Sequence, residues 1–186
     1  KNDTIVDIGV YPGIVSQLFH EYYPSEIDFR YYGIGLGFDK KFVDKMNEYG
    51  VDLFECDLEP RLHLDSGRKT SIPLETDTAD LVIFTDVIEH FYDPFYPLSE
   101  INRILKSKGL IILTTDNLTR FGSQLAIIRG RSCNVPLIEG NLFYDGDWRP
   151  HFREYSKGEL SQLLKWAGFD ILEHHYFEAD FGQYQI

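Results

Sequence analysis

Short apolar, β-branched runs recur along the chain at 4–10, 29–36, 51–57, 80–87, 110–115 and 170–177, each bounded by turn or polar residues. Runs that stay apolar at successive positions predict strands covered on both faces. The stretches between them carry helix signals. Pro12 stands at a first-turn position before Ile14, Val15, Leu18 and Phe19, and Asp39 is placed to cap a helix through Phe42, Val43 and Met46 that Gly50 ends. Asp93-Pro94 reads as a cap and a first-turn proline ahead of Leu98, Ile101, Ile104 and Leu105, with Gly109 as the stop. Ser156-Lys157-Gly158-Glu159 is a capping box before Leu160, Leu163 and Leu164. Strands alternating with helices predict an α/β fold, a Rossmann-like three-layer sandwich with a mostly parallel sheet. Residues 118–155 break the rhythm: they are rich in Gly, Arg and aromatics and lack a strand pattern. A connector that long is uncommon unless it has a task.

Composition narrows the picture only slightly. The 186 residues fit one domain, 1–186, able to bury a core without staples. The longest apolar runs, such as Leu110 to Leu113, are too short to span a bilayer, so no membrane partner is expected. A net charge of −12 argues against a nucleic-acid partner. Cys56 and Cys133 have the spacing of neither a zinc site nor a disulfide framework, so no metal is expected and a reducing cytoplasm is the simplest compartment. No charged-then-apolar leader opens the sequence, which also fits a chain that begins inside a longer one.

The first candidate chemistry lies where the first strand opens into a helix, at Asp7-Ile8-Gly9-Val10-Tyr11-Pro12-Gly13. Glycines there allow a sharp turn and a close ligand approach, as a nucleotide-type site needs. Alone, such a turn is as often structural as functional. Further segments follow in order: Pro73 to Thr76, Asp80 to His90 with Val87-Ile88-Glu89-His90 at its end, and Asn102 to Thr115 with Arg103-Ile104-Leu105-Lys106 turning at Gly109.

Taken together, residues 4–177 resemble class I S-adenosylmethionine-dependent methyltransferases. The tail, His151-Phe152-Arg153-Glu154-Tyr155-Ser156 before Ala167-Gly168-Phe169, is similar to a bacterial small-molecule and sugar-modifying branch of that family. The resemblance implies S-adenosylmethionine as cofactor, released as S-adenosylhomocysteine, and a small hydroxyl-bearing acceptor such as a sugar. It carries Asp7, Gly9 and Gly13 over to the methionine and ribose end and Asp57 to the adenine, with Tyr11, Gly35, Leu58 and Asp86 also at the cofactor site. His90 is implied as the catalytic base, since a near-neutral imidazole can take an acceptor proton. Tyr144, Trp148, His151, Arg153 and Tyr155 are expected to form an acceptor lid, or else a packed connector.

Three positions depart from the family pattern. Tyr11 replaces a glycine and must keep a negative φ or stack its ring beside the ligand. Gly35 stands where an acid would grip the ribose hydroxyls, leaving Asp39 or water as substitute, with the helix-cap reading of Asp39 favoured. Asp116 stands where proline is usual. These changes keep open a catalytically degenerate ligand-binding or interaction module. A nicotinamide dehydrogenase is disfavoured, because the first turn lacks Gly-x-Gly-x-x-Gly spacing.

Overall fold

The computed structural model describes residues 3–22, 29–59, 69–132 and 149–177. Five strands, β1 (Asp3–Ile8), β2 (Phe29–Gly35), β3 (Val51–Glu55), β4 (Ala79–Thr85) and β5 (Leu105–Thr114), pair in parallel in the order β3-β2-β1-β4-β5. Among the described residues the helices are α1 (Ile14–Tyr22), α2 (Lys40–Glu48), α3 (Phe95–Ile104), α4 (Phe121–Ile128) and α5 (Lys157–Trp166), with a 3₁₀ turn at Ile88–His90.

Alternation within the strands divides the core into two layers. Val6, Ile8, Val82 and Phe84 face Leu98, Ile101 and Ile104 of α3 and, beyond them, Leu160, Leu163 and Leu164 of α5. Ile5, Tyr31 and Ile83 face the opposite way, onto Phe42 and Met46 of α2 and Val15 and Phe19 of α1. The sheet is thus covered on both sides, the Rossmann-like three-layer arrangement that the continuous apolar runs predict.

Local signals hold at two helices. Asp39 caps α2, its carboxylate accepting from the Phe42 amide at 2.8 Å, so it serves the helix rather than a ribose. Ser156 and Glu159 close a reciprocal capping box on α5. Elsewhere the structure differs from expectation. Asp93 gives α3 no side-chain cap; Pro94 is the N-cap, and α3 ends at Ile104 rather than running to Gly109. The chain enters β5 at Leu105 because Ala79 pairs with it, and the register then shifts through a turn where Lys108 has φ 76°. Within the expected connector, 118–155, residues 121–128 form α4.

The sixth expected strand, 170–177, is not a strand. These residues pair with nothing in the sheet and expose Leu172, Tyr176 and Phe177. A short apolar run marks a surface that a neighbour could cover, and among the described residues none does. A cavity of about 1220 Å³ separates this stretch from β5, the sheet's edge, where Leu110 and Ile112 are also exposed. Among the described residues, no helix is long and apolar enough to cross a membrane.

Candidate active site

In open α/β sheets the carboxyl ends of the strands form the ligand edge. At β1 the chain turns through Gly9 (φ 80°) to Gly13 (φ 83°), and the Gly9 amide donates to the Ile34 carbonyl at 2.8 Å, tying the turn to β2. Both glycines hold a left-handed φ, and at Gly9 packing against Val87 also leaves no room for a side chain. A Cβ on Gly9 would lie 2.4 Å from Val87 Cγ2, and one on Gly13 would lie 2.6 Å from Met46 Cε. Tyr11 avoids positive φ and sets its exposed ring 5.0 Å from Phe42, one of the two outcomes its bulk allows. Asp7 faces inward: Tyr31 Oη donates to its Oδ2 at 2.9 Å, and burial raises its pKa to about 6. The carboxylate is therefore spent on a buried pair instead of the ligand edge.

A cavity of about 490 Å³ opens beyond β2 and β3, lined among others by Leu36, Glu55, Cys56, Asp57, Lys69 and Pro73. That volume falls within the range of about 300–1,000 Å³ taken by small-ligand and cofactor sites. Gly35 ends β2 with Phe38 packed where its side chain would begin. Its register partner on β3 is Glu55, an exposed acid that lines the cavity and that the sequence pattern did not single out. Leu58 belongs to the core, not to the cavity wall. Asp57 is only 1% exposed, and both oxygens are engaged: Oδ1 accepts from the Glu59 amide and Oδ2 from Arg149 Nη2 at 2.5 Å.

Beyond β4 and β5 the edge is made of side chains. Asp86 (φ 53°) follows β4, its Oδ1 accepting from Thr114 Oγ1 at 2.9 Å, and is exposed there. The 3₁₀ turn then delivers Glu89 and His90. Glu89 is 1% exposed; burial raises its pKa to about 7, partly offset by its own amide and the Thr115 hydroxyl. The His90 ring donates from Nδ1 to the Arg149 carbonyl, and burial lowers its pKa, holding it toward the neutral form.

Residues 149–155 strap this edge down. The Phe152 amide donates to the Glu89 carbonyl at 2.8 Å, and Tyr155 bridges to Asn117 beyond β5. His151 sets its ring edge-on to His90, centroids 4.6 Å apart, with Nδ1 3.2 Å from Asp116 Oδ2. Asp116, in the place of the usual proline, thus anchors the strap. Two of the expected acceptor residues point elsewhere: Arg153 pairs with Glu159 at the surface, and Tyr155 is buried in the core. Tyr144 and Trp148 lie outside the described residues. Arg149, Glu89 and Asp116 were not legible as partners, because each meets residues tens of positions away.

A family model described as a methyltransferase domain matches residues 1–174. The chain belongs to the methyltransferase domain family. S-adenosylmethionine is the methyl donor that goes with this membership. A Mycolicibacterium smegmatis protein named a "probable S-adenosylmethionine-dependent methyltransferase" is 32% identical over 112 residues, covering 60% of this chain and 37% of that protein. A Mycobacterium tuberculosis protein of the same name is 30% identical over 110 residues, covering 59% of this chain and 34% of its own length. The methyltransferase domain therefore matches little more than a third of these relatives' length. Among solved structures, an S-adenosylmethionine-dependent methyltransferase from Aquifex aeolicus superposes with TM-score 0.56 at 16% identity, covering 90% of this chain and 73% of its own. The [4+2]-cyclase SpnF superposes with TM-score 0.62 at 18% identity, covering 92% and 52%. At such identities the likeness concerns the fold alone, class I and Rossmann-like.

Proposed function

We propose that this domain transfers a methyl group from S-adenosylmethionine to a small hydroxyl-bearing acceptor, such as a sugar or sugar-linked metabolite, in the cytoplasm, and that residues 1–186 act as one unit. The observation that carries this reading is the cavity of about 490 Å³ at the carboxyl ends of β2 and β3, holding Glu55 and Asp57 in its wall. The donor's adenosine fits there, with Asp57 toward the adenine and Glu55 supplying the ribose carboxylate that Gly35 cannot. Catalysis is then mainly alignment, because the sulfonium already activates the methyl group. The acceptor sits at the cluster of Glu89, His90, Asp116 and His151, where His90 acts on its hydroxyl.

Calorimetry with S-adenosylhomocysteine tests the donor site. The chain binds it, and Glu55→Gln weakens binding by about tenfold to a hundredfold, the worth of one hydrogen bond to a charged group. Affinity unchanged in Glu55→Gln moves the ribose elsewhere, and no binding by the wild type removes the reading.

A second reading has its own support. The Asp57 carboxylate is already held by Arg149, and the cyclase SpnF shares the fold. A domain that keeps the fold for ligand binding or interaction alone would bind S-adenosylhomocysteine without turnover in an acceptor screen.

A further inference from the structure

Two overlapping groups of potential ligands meet at the strap. Glu89, His90 and His151 present one ligand atom each, all within 4.8 Å of one another, and Asp116, His151 and Glu154 do the same. His151 is common to both. Nothing in the Cys pattern or in local His spacing announces this set, since 61 positions separate His90 from His151.

Three features distinguish the cluster from a solvated acidic patch. First, its members come from the 3₁₀ turn after β4, the end of β5 and the strap, elements tied together by the Phe152–Glu89 and Tyr155–Asp116 backbone bonds. Second, both rings are oriented from behind. The Arg149 carbonyl can only accept, so His90 carries its hydrogen on Nδ1 and its electron pair on Nε2. The Asp116 carboxylate beside His151 Nδ1 favours the same tautomer. Outer hydrogen bonds of this kind commonly fix metal-ligating imidazoles. Third, Glu154 is 6% exposed and has a carboxylate oxygen within 4.8 Å of ligand atoms of Asp116 and His151; Arg120 Nη2 reaches its Oε1 at 3.0 Å, but Oε2 is buried with no hydrogen-bond partner. A buried carboxylate oxygen left so is costly unless something positive answers it.

We infer that Glu89, His90 and His151 hold a divalent first-row transition cation at the acceptor end of the site, with the acceptor hydroxyl as a further ligand. Two imidazoles and a carboxylate suit Mn²⁺, Fe²⁺ or Co²⁺ better than an all-oxygen Ca²⁺ site or a thiolate Zn²⁺ site. Asp116 and Glu154 supply outer negative charge, and Asp116 holds His151. The inference rests on the acceptor position proposed above and replaces direct proton transfer to His90. The cation acidifies the bound hydroxyl, whose proton passes to solvent. The oxygen's electron pair then forms the new C–O bond while the C–S bond breaks. Its pair stays on sulfur, turning the sulfonium into the neutral thioether of S-adenosylhomocysteine.

The test is titration of the chelator-treated 186-residue chain with Co²⁺, read by its visible ligand-field absorption, with and without S-adenosylhomocysteine. The expected result is one Co²⁺ per chain, weakened by at least about tenfold in Glu89→Gln and in His151→Asn. Affinity for S-adenosylhomocysteine stays unchanged in both variants, which also shows that they are folded. Absence of the band in the wild type, or wild-type Co²⁺ affinity in both variants, overturns the inference. Co²⁺ binding without S-adenosylhomocysteine binding sinks the donor reading and keeps the metal site; the reverse removes the metal site alone.

Discussion

Beyond β1, β2 and β3 the ligand edge is a glycine turn bonded to Ile34 and a cavity lined by neighbours along the chain, Leu36 and Gly37 after β2 and Glu55 to Asp57 at the end of β3. Beyond β4 and β5 it is shaped by ionisable side chains, Glu89, His90, Asp116 and His151, gathered from three separate elements. The first half derives its form from steric demands that neighbouring residues impose on one another. The second depends on a strap docked across the sheet edge, so its chemistry exists only once the tertiary structure has formed.

That contrast is most directly broken at Gly9. Gly9→Val forces a branched side chain into φ 80° and against Val87 Cγ2. The conformational cost of about 2 kcal/mol and the overpacking of about 3 kcal/mol predict a loss of about 5 kcal/mol in urea unfolding. The variant consequently tests the fold before it tests the ligand. On the strap, Arg149→Met removes the guanidinium that pairs with the buried Asp57 carboxylate. A loss of about 3 kcal/mol by the same measurement is expected. A loss comparable to that of Arg153→Ala would show that the strap barely holds the edge.

Two buried acids allow a subtler comparison, one in each half. Glu89 goes from an ordinary 4.5 to about 7 and Asp7 from 3.8 to about 6, both through burial. A raised carboxyl pKa means the native state keeps a proton the unfolded chain has released. The contribution is complete below the unfolded value and is lost as pH rises through the folded one. Glu89→Gln should therefore remove a downward slope in stability between about pH 4.5 and 7, by at most about 1.4 kcal/mol per pH unit. Asp7→Asn should act in the lower window, between about 3.8 and 6. Denaturant midpoints across pH 4–8 check both, and parallel curves for wild type and variant would contradict the burial account.

The smallest effect belongs to Arg153. Its pair with Glu159 is solvent-exposed, so Arg153→Ala should cost about 0.5 kcal/mol or less and spare methyl transfer. Lost transfer in a stable variant would return Arg153 to the acceptor site.

How much of this was readable follows the same division. The five strands, the Asp39 cap and the Ser156–Glu159 box depend on residues within a few positions of each other, and periodicity or capping chemistry exposes them. The shortening of α3 was not readable, since only Ala79, far away, makes Leu105 a strand residue. Residues 170–177 failed for the complementary reason: an apolar pattern states a demand for a partner, not its presence. Within the site, the Gly9–Gly13 turn and Asp57 announced themselves. Glu55 did not, because its relation to Gly35 exists only through strand register. The links from Arg149 to Asp57 and from His151 to His90 span 92 and 61 positions, and no local pattern encodes them.

The Arg149–Asp57 pair joins the two halves, with Asp57 in the cavity wall and Arg149 at the root of the strap. Whatever binds Asp57 must compete with that guanidinium, and part of its binding energy goes into loosening the strap. Thermodynamic linkage makes this antagonism mutual. A ligand that favours the docked strap weakens binding at Asp57 by the same factor by which occupancy of Asp57 weakens that ligand. The order in which two molecules arrive then leaves their combined affinity unchanged but decides which of them meets the closed strap.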